Sequence, residues 1–406
     1  MSTFVVAGLD IGSTKTCAVL LEVVLEEGRA PKYRVMGVGQ SRTAGIRRDV
    51  VTDLEETTES VRAAMKEAEL MAGVRADRVF VGIAGNHIDA NISTGVVAVS
   101  GGEIGPGDVD RVHEVARAVV VPSDREVLHV LPQEYRVDGQ ADIRDPIGMA
   151  GTRLEAEVYI ITCGAAAATN LRKAVGRAGY KVEAFVHEPL ATARAVLTED
   201  EREVGTALID LGAGTTELAL FRESKTRHLA TIPWGGAAIT SDLVKGLSIP
   251  YVEAERAKEQ YGVASAQLVD PRETVDLPGP SPGSRRQVAR ELIAHIIEQR
   301  LDEILELVSA EIERAGESEE LGAGVVLTGG GGELTGAVDV AHHVFGAHTR
   351  IGTPGMELGG LADAVRKPRF ATATGLALFG AETRLAGGGG MGGTVGRVLG
   401  WIREFF

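Results

Sequence analysis

The sequence is short of cysteine, of aromatic residues and of positive charge, and each shortage excludes something. It holds two cysteines, Cys17 and Cys163, with no CxxC pair and no Cys/His spacing of a zinc site. A disulfide framework and a structural zinc are therefore not expected, and a reducing compartment fits. Lys and Arg number 42 against 57 Asp and Glu, a formal net charge of −15. Nucleic-acid binding needs a basic footprint, so no nucleic-acid partner is expected. No run reaches the roughly 18 unbroken apolar residues of a membrane span. The start, Met1-Ser2-Thr3-Phe4-Val5-Val6, enters a strand-like pattern without the basic and long apolar regions of a signal peptide, so a cytoplasmic location is expected. Aromatics make up only 4%, whereas glycine is abundant at 52 residues. The 406 residues, 44% hydrophobic and 24% charged, are ample for two to three domains and too apolar for wholesale disorder.

The apolar pattern alternates between strand and helix periods, as in an α/β protein. Residues 4–10 and 17–24 read as buried strands joined by a turn. Residues 53–72 read as an amphipathic helix capped by Thr52 or Asp53, lined by Leu54, Val61, Met65, Ala68 and Met71, and closed by Gly73. Residues 79–84 and 157–163 read as strands, and 166–178 as a helix ending at Gly179. Between them, 104–147 mixes short signals broken by Pro122, Pro132 and Pro146, as in a small inserted subdomain. A second block begins at Gly205, with strands at 206–210 and 217–221 and a helix at 254–260. Pro271, Pro278, Pro280 and Pro282 make 270–286 a loop. A long helix is expected over 286–315, its apolar face carried by Val288, Leu292, Ile293, Ile296, Ile297, Leu301, Ile304, Leu305, Val308 and Ile312. Residues 325–327 form a short strand, and the glycines of 387–393 a flexible linker.

Two places in the chain match. Asp10-Ile11-Gly12-Ser13-Thr14-Lys15-Thr16 and Asp210-Leu211-Gly212-Ala213-Gly214-Thr215-Thr216 both read Asp-x-Gly-x-x-x-Thr, both follow a strand and both run into another. They lie about half the chain apart, the outline of an internal duplication. A tight turn of glycines and small hydroxyl residues lets backbone N–H groups converge on phosphate oxygens. A strand-end Asp can hold hydrated Mg²⁺, which keeps several waters and takes one or two carboxylates. Lys15 can reach the outer phosphates. Either turn alone is equally a plain β-hairpin; the matched pair points to a nucleotide. A third element, Val326-Leu327-Thr328-Gly329-Gly330-Gly331-Gly332, ends a strand in glycines, which let backbone approach a base or ribose. Glu255 and Lys258 lie three apart on a helix; such a pair can meet a ribose and an adenine edge, or form a surface ion pair.

These pieces, in this order, resemble the actin, Hsp70 and sugar-kinase superfamily: a first phosphate loop at 10–16, a connecting helix over His187-Glu188-Pro189-Leu190-Ala191-Thr192-Ala193, a second phosphate loop at 210–216 and an adenosine loop at 328–332. Within it, the chain resembles the FtsA family of bacterial actin-like cell-division proteins over almost its whole length. The family-specific stretches are Gly45-Ile46-Arg47-Arg48-Asp49-Val50-Val51-Thr52-Asp53, His129-Val130-Leu131-Pro132-Gln133-Glu134-Tyr135-Arg136-Val137-Asp138-Gly139-Gln140 and Asp145-Pro146-Ile147-Gly148-Met149-Ala150-Gly151-Thr152-Arg153-Leu154-Glu155. The resemblance implies an actin-like (ribonuclease-H-like) duplicated two-lobed α/β fold with ATP in the cleft. It implies subdomain 1A at 1–83, 158–198 and 372–386, an inserted subdomain 1C at 84–157, subdomain 2A at 199–234 and 306–371, and subdomain 2B at 235–305. By position, Asp10 and Asp210 would hold Mg²⁺ through water. Gly12, Ser13, Thr14, Lys15, Gly212, Gly214, Thr215 and Thr216 would cradle phosphates. Glu255, Lys258, Gly329, Gly330 and Gly331 would meet the adenosine. Glu188 matches the Hsp70 carboxylate near the attacking water; it is equally a first-turn Glu favoured by the helix dipole. Weak or no ATPase activity is implied.

The last thirteen residues, 394–406, follow the glycines. On a helix, Val395, Val398, Leu399, Trp401, Ile402, Phe405 and Phe406 fall within an arc of roughly 160°, with Arg397, Arg403 and Glu404 outside it. Such a helix is about 20 Å long, too short to span a bilayer but suited to lie in its interface, with the arginines near anionic headgroups. FtsA-like proteins end in a membrane-targeting helix of this kind. One short helix binds weakly, so a polymer presenting many would gain avidity, by as much as about 10²–10⁴ for linked sites. The resulting expectation is a peripheral protein on the cytoplasmic face of the inner membrane at the division septum. It would polymerise head to tail and tether the C-terminal tail of the tubulin-like FtsZ among other division partners, with 286–300 the expected contact. A small-molecule kinase and a pilus-assembly adaptor of the same superfamily are the alternatives; an Hsp70-like chaperone would need a peptide-binding domain for which there is no signal.

Overall fold

The computed structural model describes residues 2–279, 283–317, 321–355 and 357–387. The terminal helix expected at 394–406, and the linker expected at 387–393 from 388 onward, lie outside them.

Strands Ser2–Ile11, Lys15–Leu25 and Lys32–Arg42 form an antiparallel meander, and Arg78–Ile83 and then Lys181–His187 add in parallel on the side of the first. In the second half, Thr206–Leu211, Thr216–Arg222 and Lys225–Ile232 form the same meander, extended in parallel by Gly324–Thr328 and Thr349–Ile351. The suspected repeat is thus a repeat of topology, giving lobe I and lobe II. Their central strands are continuous apolar runs because both faces are covered. In lobe I, Leu9, Leu20, Met65, Phe80 and Ile83 are almost wholly buried, each worth roughly 1.5–3 kcal/mol.

The helix Leu54–Ala72 begins where Asp53 accepts the N–H groups of Glu55 and Glu56, both at 2.9 Å, and ends on a left-handed Gly73. Val61, Met65 and Ala68 are buried as expected, but Met71 is 49% exposed. Ala64, Thr57, Thr58 and Ser60 complete the packed face instead, the threonines and serine returning their hydroxyls to carbonyls four residues back.

Between the strands of lobe I sits a separate sheet, ordered Asp89–Ala98, Arg153–Gly164, Arg125–Val137, Gln140–Ile143, with helix Pro106–Arg117 on one face. On lobe II, helices Gly236–Leu247 and Tyr251–Tyr261 share a core with the foot of the long helix Arg290–Ala315. The proline-rich segment expected as loop contains a hairpin, Thr274–Pro278 with Arg285–Ala289. Proline is tolerated because Pro278 ends its strand opposite Arg285 in a non-hydrogen-bonded pair, the next ladder bond running from the Gly279 N–H to the Ser284 carbonyl at 2.8 Å. The long helix accordingly starts at Arg290, not at 286; Val288 packs from the hairpin, and Leu292 is 44% exposed.

Two helices bind the lobes together, Glu188–Val196 and Ala371–Gly387, the latter extending to the glycine expected to open the linker. They cross so closely that a Cβ on Gly375 would lie 1.7 Å from the Ala191 carbonyl oxygen.

Candidate functional site

Each lobe turns its first hairpin toward the other. The registers coincide: Asp10 pairs with Cys17 and Ile11 with Thr16, as Asp210 pairs with Glu217 and Leu211 with Thr216. Both turns are therefore β-hairpin turns of matching register. The turns approach so closely that a Cβ on Gly214 would fall 2.3 Å from Ser13 Oγ and 3.2 Å from the Arg48 Cα. Both line one cleft of about 560 Å³.

Asp10, Gly12, Ser13, Thr14 and Lys15 enter this cleft from lobe I, and Asp210, Gly212, Gly214 and Thr215 from lobe II. Glu188, Glu255, Lys258, Gly329, Gly330 and Gly331 line it as well. Thr216 does not: its side chain is buried and its hydroxyl donates to the Trp234 carbonyl at 2.8 Å. Glu255 and Lys258 do form an ion pair, at 2.9 Å, but a half-buried one facing the cleft. The Lys258 ammonium also donates to Thr240 Oγ1 at 2.8 Å and the Gly236 carbonyl at 3.1 Å, tying two helices together. Of the glycines after Gly324–Thr328, Gly329 is required: it is left-handed, and a Cβ there would lie 2.2 Å from Asp210 Oδ1, whereas Gly330 has φ −63° and open space around it.

Asp210 is held by lobe I. Thr192 and Thr372, one from each crossing helix, donate their hydroxyls to its Oδ2 at 3.2 and 3.1 Å. Glu188 opens one of these helices, and its N-cap His187 is fixed by the inserted sheet: the His187 N–H donates to His129 Nε2 at 3.0 Å. That bond leaves the His129 proton on Nδ1. Burial lowers His129 to about 3 and His187 to about 4, so both rings are neutral.

The charge balance is unusual. Asp10, Asp49, Glu188, Asp210 and Glu217 share the cleft with Lys15. Burial raises Asp10 to about 7 and Glu217 to about 8, and raises Glu188 well above the carboxylate range, with mutual repulsion adding to it. Burial likewise raises Asp49 and Asp210, against hydroxyl donors. Such a cluster favours a proton or a cation. Among the described residues no three His, Cys, Asp or Glu side chains form a metal cage. Asp10 and Asp210 alone suit a cation that keeps its water and takes its other oxygens from a ligand.

Several cleft residues escape sequence reasoning. Asp49 accepts hydrogen bonds from Ser13 Oγ at 3.2 Å and from Thr215 Oγ1. Glu217 accepts from Thr231 Oγ1 at 2.6 Å while its Oε1 has no partner. Comparing the repeats one residue further would have flagged it, since Cys17 stands at that place in lobe I. The Glu333–Arg369 ion pair also lines the cleft, and nothing local in sequence marks it. Cys17 and Cys163 are free and buried, their thiols pushed up to about 12 and about 11.

Comparison with known proteins gives the same outline. The family model described as cell division protein FtsA matches residues 207–375, and that of the SHS2 domain inserted in FtsA matches 85–162. Cell division protein FtsA of Pseudomonas aeruginosa is 41% identical, covering 94% of this chain and 90% of the relative. That of Neisseria meningitidis is 40% identical, covering 98% of each. The chain belongs to the FtsA family. FtsA of Escherichia coli is 36% identical over 99% of this chain and 98% of the relative. Among solved structures, the PilM–PilN type IV pilus biogenesis complex aligns with a TM-score of 0.63 at 17% identity, over 93% of this chain and 98% of that one. MreB5 of Spiroplasma citri bound to ADP aligns at 0.55 and 12% identity, over 95% and 99%. These two likenesses show the actin-like fold alone. With FtsA membership established, the protein is a cell-division protein rather than a small-molecule kinase or a pilus adaptor. Among the described residues no helix is long and apolar enough to cross a membrane.

Proposed function

We propose that this FtsA-family protein binds Mg-ATP between its lobes, polymerises, and tethers FtsZ filaments to the cytoplasmic face of the inner membrane at the division septum. The observation that carries the nucleotide reading is the pair of register-matched hairpin turns facing one cleft from opposite lobes. The N–H groups of Ser13, Thr14, Gly214 and Thr215 would take phosphate oxygens and Lys15 would supply a cation, whereas the Gly12 and Gly212 N–H groups close the turns onto the Lys15 and Asp210 carbonyls at 3.0 and 3.1 Å and would let the backbone come close. Thr216 is left out of this cradle because its hydroxyl serves Trp234. Asp10 and Asp210 would hold Mg²⁺ through water, and the cation would offset the carboxylate crowd. Glu255, Lys258, Gly329, Gly330 and Gly331 would meet the adenosine. MreB5 of Spiroplasma citri, which has the same fold, is described bound to ADP and to AMPPNP, which supports a nucleotide as the kind of ligand.

Hydrolysis would be slow. Glu188 would position the water, but burial and the neighbouring acids raise its carboxyl, which favours the protonated form and works against it as a general base. FtsZ-tail binding near the foot of Arg290–Ala315, head-to-tail self-assembly and interfacial anchoring by 394–406 follow from the family reading and the amphipathic pattern of the tail.

The test is titration calorimetry with Mg-ATP. Asp210→Asn should weaken binding by about 10- to 100-fold, the usual cost of losing a group that orients a metal's bound water. Wild-type affinity in that variant would remove the cleft assignment. Filaments on lipid monolayers with ATP, seen by electron microscopy, test the assembly part.

A further inference from the structure

We infer that Asp49 sets the cleft's preference between nucleoside di- and triphosphates, because its carboxylate competes with the last phosphate for the hydroxyls of Ser13 and Thr215. This rests on the nucleotide reading above and adds to it a residue outside both phosphate loops.

The contacts are specific. Asp49 belongs to the segment 45–53 of lobe I, yet it touches both hairpins. Ser13 Oγ donates to its Oδ1 at 3.2 Å, and Thr215 Oγ1 of lobe II donates to its Oδ2. The Asp49 N–H also donates to Ser13 Oγ, at 3.4 Å. No Lys or Arg of the described residues forms an ion pair with it, so these hydroxyls, not a salt bridge, hold the charge.

The backbone fixes the side chain. Arg48 and Asp49, with φ of 46° and 61°, are the two loop residues of the small hairpin Ile46–Arg47 with Val50–Val51, where a tight turn calls for two successive left-handed residues. Here the neighbour is tight: a Cβ on Gly85 would lie 3.2 Å from the Asp49 Cβ.

The chemistry then follows. A hydroxyl has one proton to donate, so Ser13 and Thr215 can serve a carboxylate oxygen or a phosphate oxygen, not both. The residues assigned to adenosine all belong to lobe II, whereas Asp49 enters from lobe I, so the far end of the polyphosphate meets it. A diphosphate ends one phosphoryl group short and avoids both the competition and the repulsion between anions. Asp49 therefore penalises the triphosphate selectively; Asp49→Asn removes the repulsion, and Asp49→Gly removes the repulsion and the competition.

The test uses the full chain with Mg²⁺ and two probes, ADP and AMPPNP, titrated calorimetrically into wild type, Asp49→Asn and Asp49→Gly. Both replacements tolerate the left-handed backbone, and a thermal melt of each establishes folding. AMPPNP affinity should rise about tenfold in both variants while ADP affinity stays within about twofold. An unchanged AMPPNP-to-ADP ratio, or a loss of AMPPNP affinity in Asp49→Asn, overturns the inference and makes Asp49 neutral or helpful to the triphosphate. A wild type that binds neither probe overturns the nucleotide reading itself, a result distinct from either.

Discussion

Replacing Asp10 by Asn in the ligand-free protein should stabilise it at high pH. Asp10 is 7% exposed, and burial outweighs the nearby Lys15, raising its carboxyl from 3.8 to about 7. A raised acid binds its proton more tightly folded than unfolded, so its contribution to stability falls as pH rises from about 4 to about 7 and is flat above. Roughly three pKa units correspond to about 4 kcal/mol of burden at pH 8. About 2 kcal/mol of this develops between pH 5.5 and pH 8 by the same linkage. Asn keeps the shape, carries no charge and removes that dependence. Urea melts of wild type and Asp10→Asn at pH 5.5 and 8 measure it: the variant's advantage should grow by about 2 kcal/mol across the interval. Asp49, Glu188, Asp210 and Glu217 titrate in the same cleft, and the Asp10 charge helps to raise Glu188, so the difference reports Asp10 together with its effect on these neighbours. A difference independent of pH, or one that shrinks with rising pH, would refute the burden. Saturating Mg-ATP should restore the wild type by about 2.7 kcal/mol at a hundred times Kd and restore the variant less.

Gly375→Ala reverses a familiar sign. In an ordinary helix interior the change gains about 1 kcal/mol, but a Cβ 1.7 Å from the Ala191 carbonyl forces the crossing helices apart. A loss of about 1–3 kcal/mol in thermal unfolding is expected, and a stabilised variant would contradict the close crossing. Deleting 394–406 should abolish sedimentation with anionic liposomes and leave nucleotide affinity unchanged; continued sedimentation would reject the anchor.

Much of the fold was legible because it depends on short-range chemistry. Asp53 and Gly73 bound their helix as capping predicts, and Gly179 ends Ala165–Ala178 in the same left-handed way. The repeat of Asp-x-Gly-x-x-x-Thr located both hairpins, since strand register and turn are set within a few residues. The misses are of two kinds. At 274–289, counting prolines ignored that a strand tolerates one at its end, and Pro278 stands there. At the cleft, the partner was too distant to see: Asp49 lies 36 residues from Ser13 and 166 from Thr215 in sequence. Nothing in the sequence around Asp49 announces an acid facing both hairpin turns. Thr216 shows the reverse error, a motif position whose side chain the tertiary structure gives to Trp234.

The duplicated hairpins explain why the site needs both lobes, but not why the lobes should respond as one body. Asp210 supplies that connection. Its Oδ2 is gripped by Thr192 and Thr372, whose own hydroxyls meet at 2.9 Å, so both crossing helices bond one carboxylate of lobe II. The first of these helices is capped by His187, whose N–H is held by His129 of the inserted sheet. A cation taken by Asp210 therefore acts on groups already bonded, through a few buried contacts, to the inserted subdomain. The two rings in that path are held neutral by burial, so the bond persists across the physiological pH range. Because each joint is a hydrogen bond or a close helix crossing rather than a flexible loop, displacement at the cleft has little room to be absorbed before it reaches that subdomain.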